Sequence, residues 1–210
     1  MRLVLATSNA GKLKELQALL APRGVEVLAQ SQFTNVSAKE TGLSFVENAI
    51  LKARHATHAS GLPAIADDSG IEVDALHGAP GIYSARYAGA RATDLANLQK
   101  LLHEIRHIAP AQRAARYCCA LAFMRWDTDP SPIVCQASWE GRLIDTPRGS
   151  GGFGYDPIFE VEPGVTAAEL SAEDKNRRSH RGQALRLLVE QLRHTHFLAN
   201  GAEASVASTV

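Results

Sequence analysis

Arg2-Leu-Val-Leu-Ala6 followed by Thr7-Ser8-Asn9-Ala10-Gly11-Lys12 sets a short apolar run directly ahead of a polar loop. Behind the loop, Leu13, Leu16 and Leu19/Leu20 recur at helical spacing, so the segment reads as strand, loop, helix. A loop so placed turns backbone N–H groups and the positive end of a helix dipole toward an anion. Gly11 permits close backbone approach, and Lys12 adds a point charge suited to phosphate. The string is not a Walker loop, and an ordinary strand-to-helix turn with a solvated lysine stands beside the phosphate reading.

The same alternation continues outward. Strands are expected at 25–28 and 62–66, and helices at 11–21, 44–60 and 94–107, with Ser44-Phe45-Val46-Glu47 as a capping box. The strand at 62–66 is expected to end in a turn at Asp67-Asp68-Ser69-Gly70. Runs at 114–125 and 133–140 flank Asp127-Thr-Asp-Pro-Ser-Pro132 and read as a hairpin. A glycine-rich loop occupies 149–156, a last helix runs from about 180 to 196, and 198–210 reads as a frayed tail. The expected fold is α/β: a single unit over 1–197 with a mixed β-sheet, helices and two lobes, its cleft lined by strand-end loops.

Composition limits the chemistry. Across 210 residues, 22 basic and 22 acidic side chains cancel, so no global field recruits nucleic acid or an anionic membrane. No N-terminal apolar stretch reaches signal-peptide or membrane-span length, and the cytoplasm is the expected compartment. Cys118, Cys119 and Cys135 lie in apolar, strand-like surroundings that suit reduced core thiols.

Several strings carry chemistry. Asp67 and Asp68 are adjacent carboxylates, oxygen donors of the kind Mg²⁺ takes, and alternation along a strand sends them to opposite faces. One is expected to face the cleft and the other to hold the turn; an Asx turn without metal is the plain alternative. Glu40 is a candidate second oxygen ligand. Glu47 is explained by its capping box, and Lys52, about 140° around the helix from it, is expected to be free for an anion. Glycines around Phe153 leave room for a flat group to stack, and Lys175 with Ser179-His180-Arg181-Gly182 brings donors to a helix start. His103-Glu-Ile-Arg-His107 matches the zinc-protease string, but both histidines fall opposite the apolar face of their helix, which excludes an enclosed zinc site there.

Taken in order, these strings resemble the inosine triphosphate pyrophosphatases, or dITP/XTP pyrophosphatases. The matching pieces are Thr7–Lys12, Glu40-Thr41-Gly42, Phe45–Ala49, Lys52-Ala53, Ala66–Gly70, Ala79–Tyr87, Gly152–Pro157, and Lys175 with Ser179–Gly182. The resemblance implies an elongated mixed β-sheet flanked by helices, with the active-site cleft between the two lobes. The activity it implies is that of a Mg²⁺-dependent hydrolase, usually a homodimer, that splits ITP, dITP or XTP into monophosphate and pyrophosphate. It implies that Thr7, Ser8, Asn9, Ala10, Gly11, Lys12 and Lys52 hold the triphosphate, with Glu40 and Asp68 on the metal and Asp68 as the catalytic carboxylate. It further assigns Ser69, Phe153, Gly154, Tyr155, Asp156, Lys175, His180 and Arg181 to the substrate, Phe153 stacking on the purine and Asp156, His180 and Arg181 reading its edge. The nearest rival, a septum-inhibitor-like nucleotide pyrophosphatase acting on pyrimidine or modified nucleotides, resembles Ser-x-Ser-x-Arg-Arg at its opening, unlike Thr7–Lys12.

Overall fold

The structure, a computed structural model, describes residues 1–7 and 10–195. Ser8, Asn9 and the expected tail at 198–210 lie outside the described residues. The elements are β1 (Arg2–Leu5), α1 (Ala10–Leu20), β2 (Glu26–Ala29), α2 (Phe45–Ser60), β3 (Ala64–Val73), α3 (Asp94–Ile105), β4 (Ala114–Met124), β5 (Ile133–Leu143), β6 (Phe159–Glu162), β7 (Val165–Thr166), α4 (Ala172–Arg178) and α5 (His180–His194). They form one mixed sheet in the order β2-β1-β3-β4-β5-β6-β7. β1 runs parallel to β2 and β3, and every later pairing is antiparallel. The expected fold class therefore holds: helices flank a mixed α/β sheet.

Period-two alternation along β3 decides what each face receives. Ala64 and Ala66 join Ala49, Ala53 and Ala56 of α2 and Ala120 and Ala122 of β4 in a close-packed layer. Ile65 points the other way, into a layer built with Leu16 and Leu20 of α1 and Leu185 and Leu188 of α5. A third cluster, around Ile71, Tyr117, Trp139 and Phe159, carries the core toward α3 and the β6–β7 edge.

β3 does not end where a turn was expected. Asp67, Asp68, Ser69 and Gly70 pair with Leu121, Ala120, Cys119 and Cys118 of β4, and the strand continues to Val73. Gly70 serves close approach instead of turning: a Cβ there would stand 2.4 Å from the Gly81 carbonyl oxygen and 2.5 Å from Ser84 Oγ. Ser84 Oγ accepts from the Ile71 N–H at 2.9 Å, which pins the short helical turn Gly81–Arg86 to β3. An Asx turn at Asp67-Asp68 is thereby excluded.

The other differences lie in short elements. The β6–β7 hairpin and the seven-residue α4 have too little apolar periodicity to be read from sequence. Serine hydroxyls start three of the helices: Ser44 accepts from the Glu47 N–H, Ser171 from that of Asp174 and Ser179 from that of Gly182. The three cysteines are free, and His103 and His107 are exposed beside Arg106.

Candidate active site

Two cavities meet at Lys12. One, of about 520 Å³, is lined by Gly11 and Lys12 of α1, Ser69 of β3, the 151–156 loop, and Lys175, His180 and Arg181. The other, of about 350 Å³, is lined by Thr7, Lys12, Glu40, Lys52, Asp67 and a polar strip including Gln30, Ser31, Thr34, Asn35 and Ser37. Ala10, Gly11 and Lys12 belong to the first turn of α1, so the expected loop is shorter than 7–12 and the helix N-terminus itself borders the cleft.

The smaller cavity is a field of ion pairs. Asp68, on the α2 face of β3, accepts from Lys52 Nζ at 2.6 Å and from Asn48 Nδ2 at 3.4 Å. Lys52 Nζ also donates to Glu40 Oε1 at 3.1 Å, and Arg86 Nη1 donates to Glu40 Oε2 at 3.0 Å. Lys52 is thus not free, contrary to the expectation drawn from its distance from Glu47 on the helix; its partners come from outside its own helix. Asn48 Oδ1 accepts from the Gly42 N–H at 3.0 Å, so one buried amide ties the Glu40 loop to Asp68. Burial pushes the Asp68 carboxyl up and the Glu40 charge adds to this, against the pull of Lys52. Burial also opposes the Glu40 charge, but Lys52 and Arg86 hold its carboxyl below the usual range.

Asp67 faces the opposite side and holds no turn. It is 5% exposed, accepts from Lys12 Nζ at 2.6 Å and lies 3.5 Å from Arg181 Nε. Burial works against its charge, yet Lys12 and Arg181 hold its carboxyl far below the usual range. Arg181 Nη2 also donates to Ser69 Oγ at 3.1 Å. This carboxylate therefore spans α1 and α5, a role that alternation predicts only as far as "the other face".

The larger cavity is organised around Asp156 and Tyr117. Asp156, 2% exposed, accepts from the Phe153 N–H at 2.7 Å, from Lys175 Nζ and from the Tyr117 hydroxyl at 3.2 Å. Gly152 has φ +75°, and a Cβ there would fall 2.1 Å from Asp156 Oδ2, so the loop reaches Asp156 only with glycine at this position. The Phe153 ring is 56% exposed, with Lys175 Nζ 4.7 Å from its centroid. Gly154 N–H donates to Asp94 Oδ2 at 3.0 Å, which moors the loop to α3. Tyr155 turns inward, its hydroxyl donating to the Ser84 carbonyl at 2.8 Å. His180 is 7% exposed, and its Nδ1 is buried without a partner among the described residues. Burial, then the Arg181 and Lys175 charges, push its imidazole down to about 3, so it is neutral at ordinary pH.

The structure thus brings together the described residues that the sequence strings single out: Thr7 and Lys12, Glu40 with Lys52 and Asp68, and Ser69 with 153–156, Lys175, His180 and Arg181. Sequence reading missed Asp67, Asn48, Asp94, Arg86 and Tyr117 as parts of the site. Asn48 and Arg86 lie inside the matching strings, but only the fold shows what they touch. Among the described residues no group of three or more His, Cys, Asp or Glu side chains is placed to hold a metal. Glu40 and Asp68 nevertheless meet on one ammonium group. Such a carboxylate pair fits a Mg²⁺ ion whose remaining ligands are water and substrate phosphate.

Comparison with known proteins is consistent across sequence and structure. The model of the Ham1 family matches residues 3–191. A dITP/XTP pyrophosphatase of Thioalkalivibrio sulfidiphilus is 60% identical over 193 residues, 91% of this chain and 98% of that protein. One from Pectobacterium atrosepticum is 60% identical over 194 residues, 92% of this chain and 98% of that protein. The solved structure of a HAM1 protein from Coxiella burnetii superposes with a TM-score of 0.88 at 47% identity, covering 92% of this chain and 99% of that one.

Proposed function

Because the chain belongs to the Ham1 family, we propose that it hydrolyses non-standard purine nucleoside triphosphates (ITP, dITP and XTP) to the monophosphate and pyrophosphate. The observation that carries this reading is the position of Lys12. One ammonium group borders both a cavity with an exposed aromatic face and a cavity lined by cations and hydroxyls. A base fits the first and a polyphosphate the second, with the α-phosphate near their junction.

Lys12, Lys52 and the N-terminus of α1 bind the triphosphate, exchanging carboxylate partners for phosphate oxygens. Glu40 and Asp68 are the residues to hold Mg²⁺, which when bound neutralises charge on the phosphates and orients the attacking water. Asp68, whose carboxyl burial pushes above its ordinary value, is the more basic for it and is the carboxylate placed to take a proton from that water. Phe153 stacks on the purine, and Lys175, Asp156, His180 and Arg181 surround its edge. A 6-keto purine presents an acceptor at O6 and a donor at N1, and adenine reverses both. A buried edge set for the keto form leaves polar groups unpaired against adenine. The family resemblance also supports a cytoplasmic homodimer whose substrate is a free nucleotide, with neither nucleic acid nor membrane as partner. No helix among the described residues is long and apolar enough to cross a membrane.

Pyrophosphate release from ITP, XTP, GTP and ATP, each with Mg²⁺ and with EDTA, tests the reading. Fast release from ITP and XTP that EDTA abolishes is expected, with little from GTP or ATP. Release of orthophosphate, or equal rates on all four, overturns it.

A further inference from the structure

The base cavity contains a residue that no sequence motif marks. Tyr117 lies in the apolar run of β4, paired with Ile71 on one side and Trp139 on the other, and by pattern it is core. Its surroundings are not those of filler. The phenol ring stacks on the His180 imidazole with centroids 4.8 Å apart and planes 6° from parallel. Its hydroxyl donates to Asp156 Oδ1 at 3.2 Å, and Phe159 packs edge-on against it at 4.8 Å, which fixes the ring from the far side.

His180 and Asp156 reach the cavity on separate pieces of chain, one at the first position of α5 and the other at the end of the glycine-rich loop. Among the described residues no hydrogen bond joins the two directly; Tyr117 touches both. The His180 Nδ1 is buried and unpartnered among the described residues, so no hydrogen bond at that atom sets the ring plane. The stack does. We infer that Tyr117 is a positioning residue that sets the plane of His180, and secondarily the orientation of Asp156, for recognition of the purine edge. Hydrogen-bond discrimination between bases needs such groups held within about 0.5 Å. A rigid aromatic on a central strand supplies that better than either loop alone.

The inference rests on the proposed purine-triphosphate reading, and its test separates the two. Wild type, Tyr117→Phe and Tyr117→Leu are compared for kcat and KM on ITP and ATP with Mg²⁺, together with melting temperature. The His180 imidazole resonances are recorded without substrate. Tyr117→Leu is expected to raise KM for ITP at least fivefold with kcat within about twofold, and to narrow the ITP-over-ATP preference at least fivefold. Tyr117→Phe, which keeps the stack, is expected to restore most of both. The His180 resonances should lose their stacking shift in Tyr117→Leu and keep it in Tyr117→Phe. A Tyr117→Leu protein with wild-type KM and selectivity overturns the inference. So does one whose kcat falls equally on both nucleotides in step with its melting temperature, or a Phe variant as impaired as the Leu variant. If wild type shows no preference for ITP, the functional reading fails, and unmoved His180 resonances in Tyr117→Leu then overturn the positioning role separately.

Discussion

In the half of the cleft proposed for the phosphates, Lys12, Lys52 and Arg86 already hold Asp67, Asp68 and Glu40, whereas in the half proposed for the base His180 is held by its stack on Tyr117, and Asp156 by the Tyr117 hydroxyl, the Phe153 N–H and Lys175. Ion pairs of the first kind can be exchanged. A triphosphate offers the same ammonium groups new anionic partners, and the carboxylates it releases are then open to a divalent cation. The stack of Tyr117 on His180 has no polar competitor in the substrate. Changes in the phosphate half should therefore act on turnover or on charge balance, and changes in the base half on KM and selectivity.

The sharpest test of that division is Asp68→Asn. It keeps the shape of the side chain and removes the charge shared with Lys52, and pyrophosphate release from ITP is expected to fall roughly a thousandfold, as for loss of a general base. The melting temperature should stay near that of wild type. Turnover at a near wild-type rate would remove Asp68 from the chemistry.

Asp67→Asn probes the same kind of contact where it is buried. Lys12 and Arg181 would lose the carboxylate between them, and breaking such a pair costs about 3 kcal/mol, roughly 6–12 °C in Tm for a domain of this size. A thermal shift below 2 °C would show that this ion pair is as dispensable as a surface one.

In the base half, Phe153→Ala removes an exposed stacking face. A loss of about 1–3 kcal/mol in binding is expected, seen as a several-fold or larger rise in KM for ITP. Melting should be almost unaffected, because the ring is half in solvent. An unchanged KM would mean that the ring packs without contacting the base.

The smallest effect concerns His180. Its folded pKa, pushed down to about 3 by burial and by Arg181 and Lys175, lies below the ordinary value of 6.5. Between these values the unfolded chain binds a proton that the folded chain refuses, so stability is full above pH 6.5 and falls as pH drops toward 3. Melting curves from pH 6.5 to pH 5 should show wild type losing roughly 1.5 kcal/mol more than His180→Gln. Superimposable curves would mean that the imidazole is not held neutral.

The candidate site is legible in the sequence to unequal degrees. Polar strings that interrupt apolar runs are conspicuous, and Thr7–Lys12, Glu40-Thr41-Gly42, Asp67-Asp68-Ser69-Gly70 and the 151–156 loop all stand out this way. Tyr117 does not, because a tyrosine in an apolar strand has the same pattern whether it fills core or orients a histidine. The reading of Asp67–Gly70 as a turn failed for a related reason. Asp, Ser and Gly have high turn preference, but β4 offers this segment an unbroken antiparallel partner, and Gly70 is needed for contact with the Gly81–Arg86 turn.

Sequence alone determined that an apolar strand leads into a helix start, that helices flank a mixed sheet, and that Asp67 and Asp68 point to opposite faces. All three follow from local periodicity, which is fixed by backbone geometry and needs no distant partner. Only the tertiary structure decided what each face meets: Lys52 and Asn48 of α2 on one side, Lys12 of α1 and Arg181 of α5 on the other. Those partners lie 16 to 114 positions away in the chain, and side chains so distant are brought together by the packing of helices on the sheet, not by any local pattern.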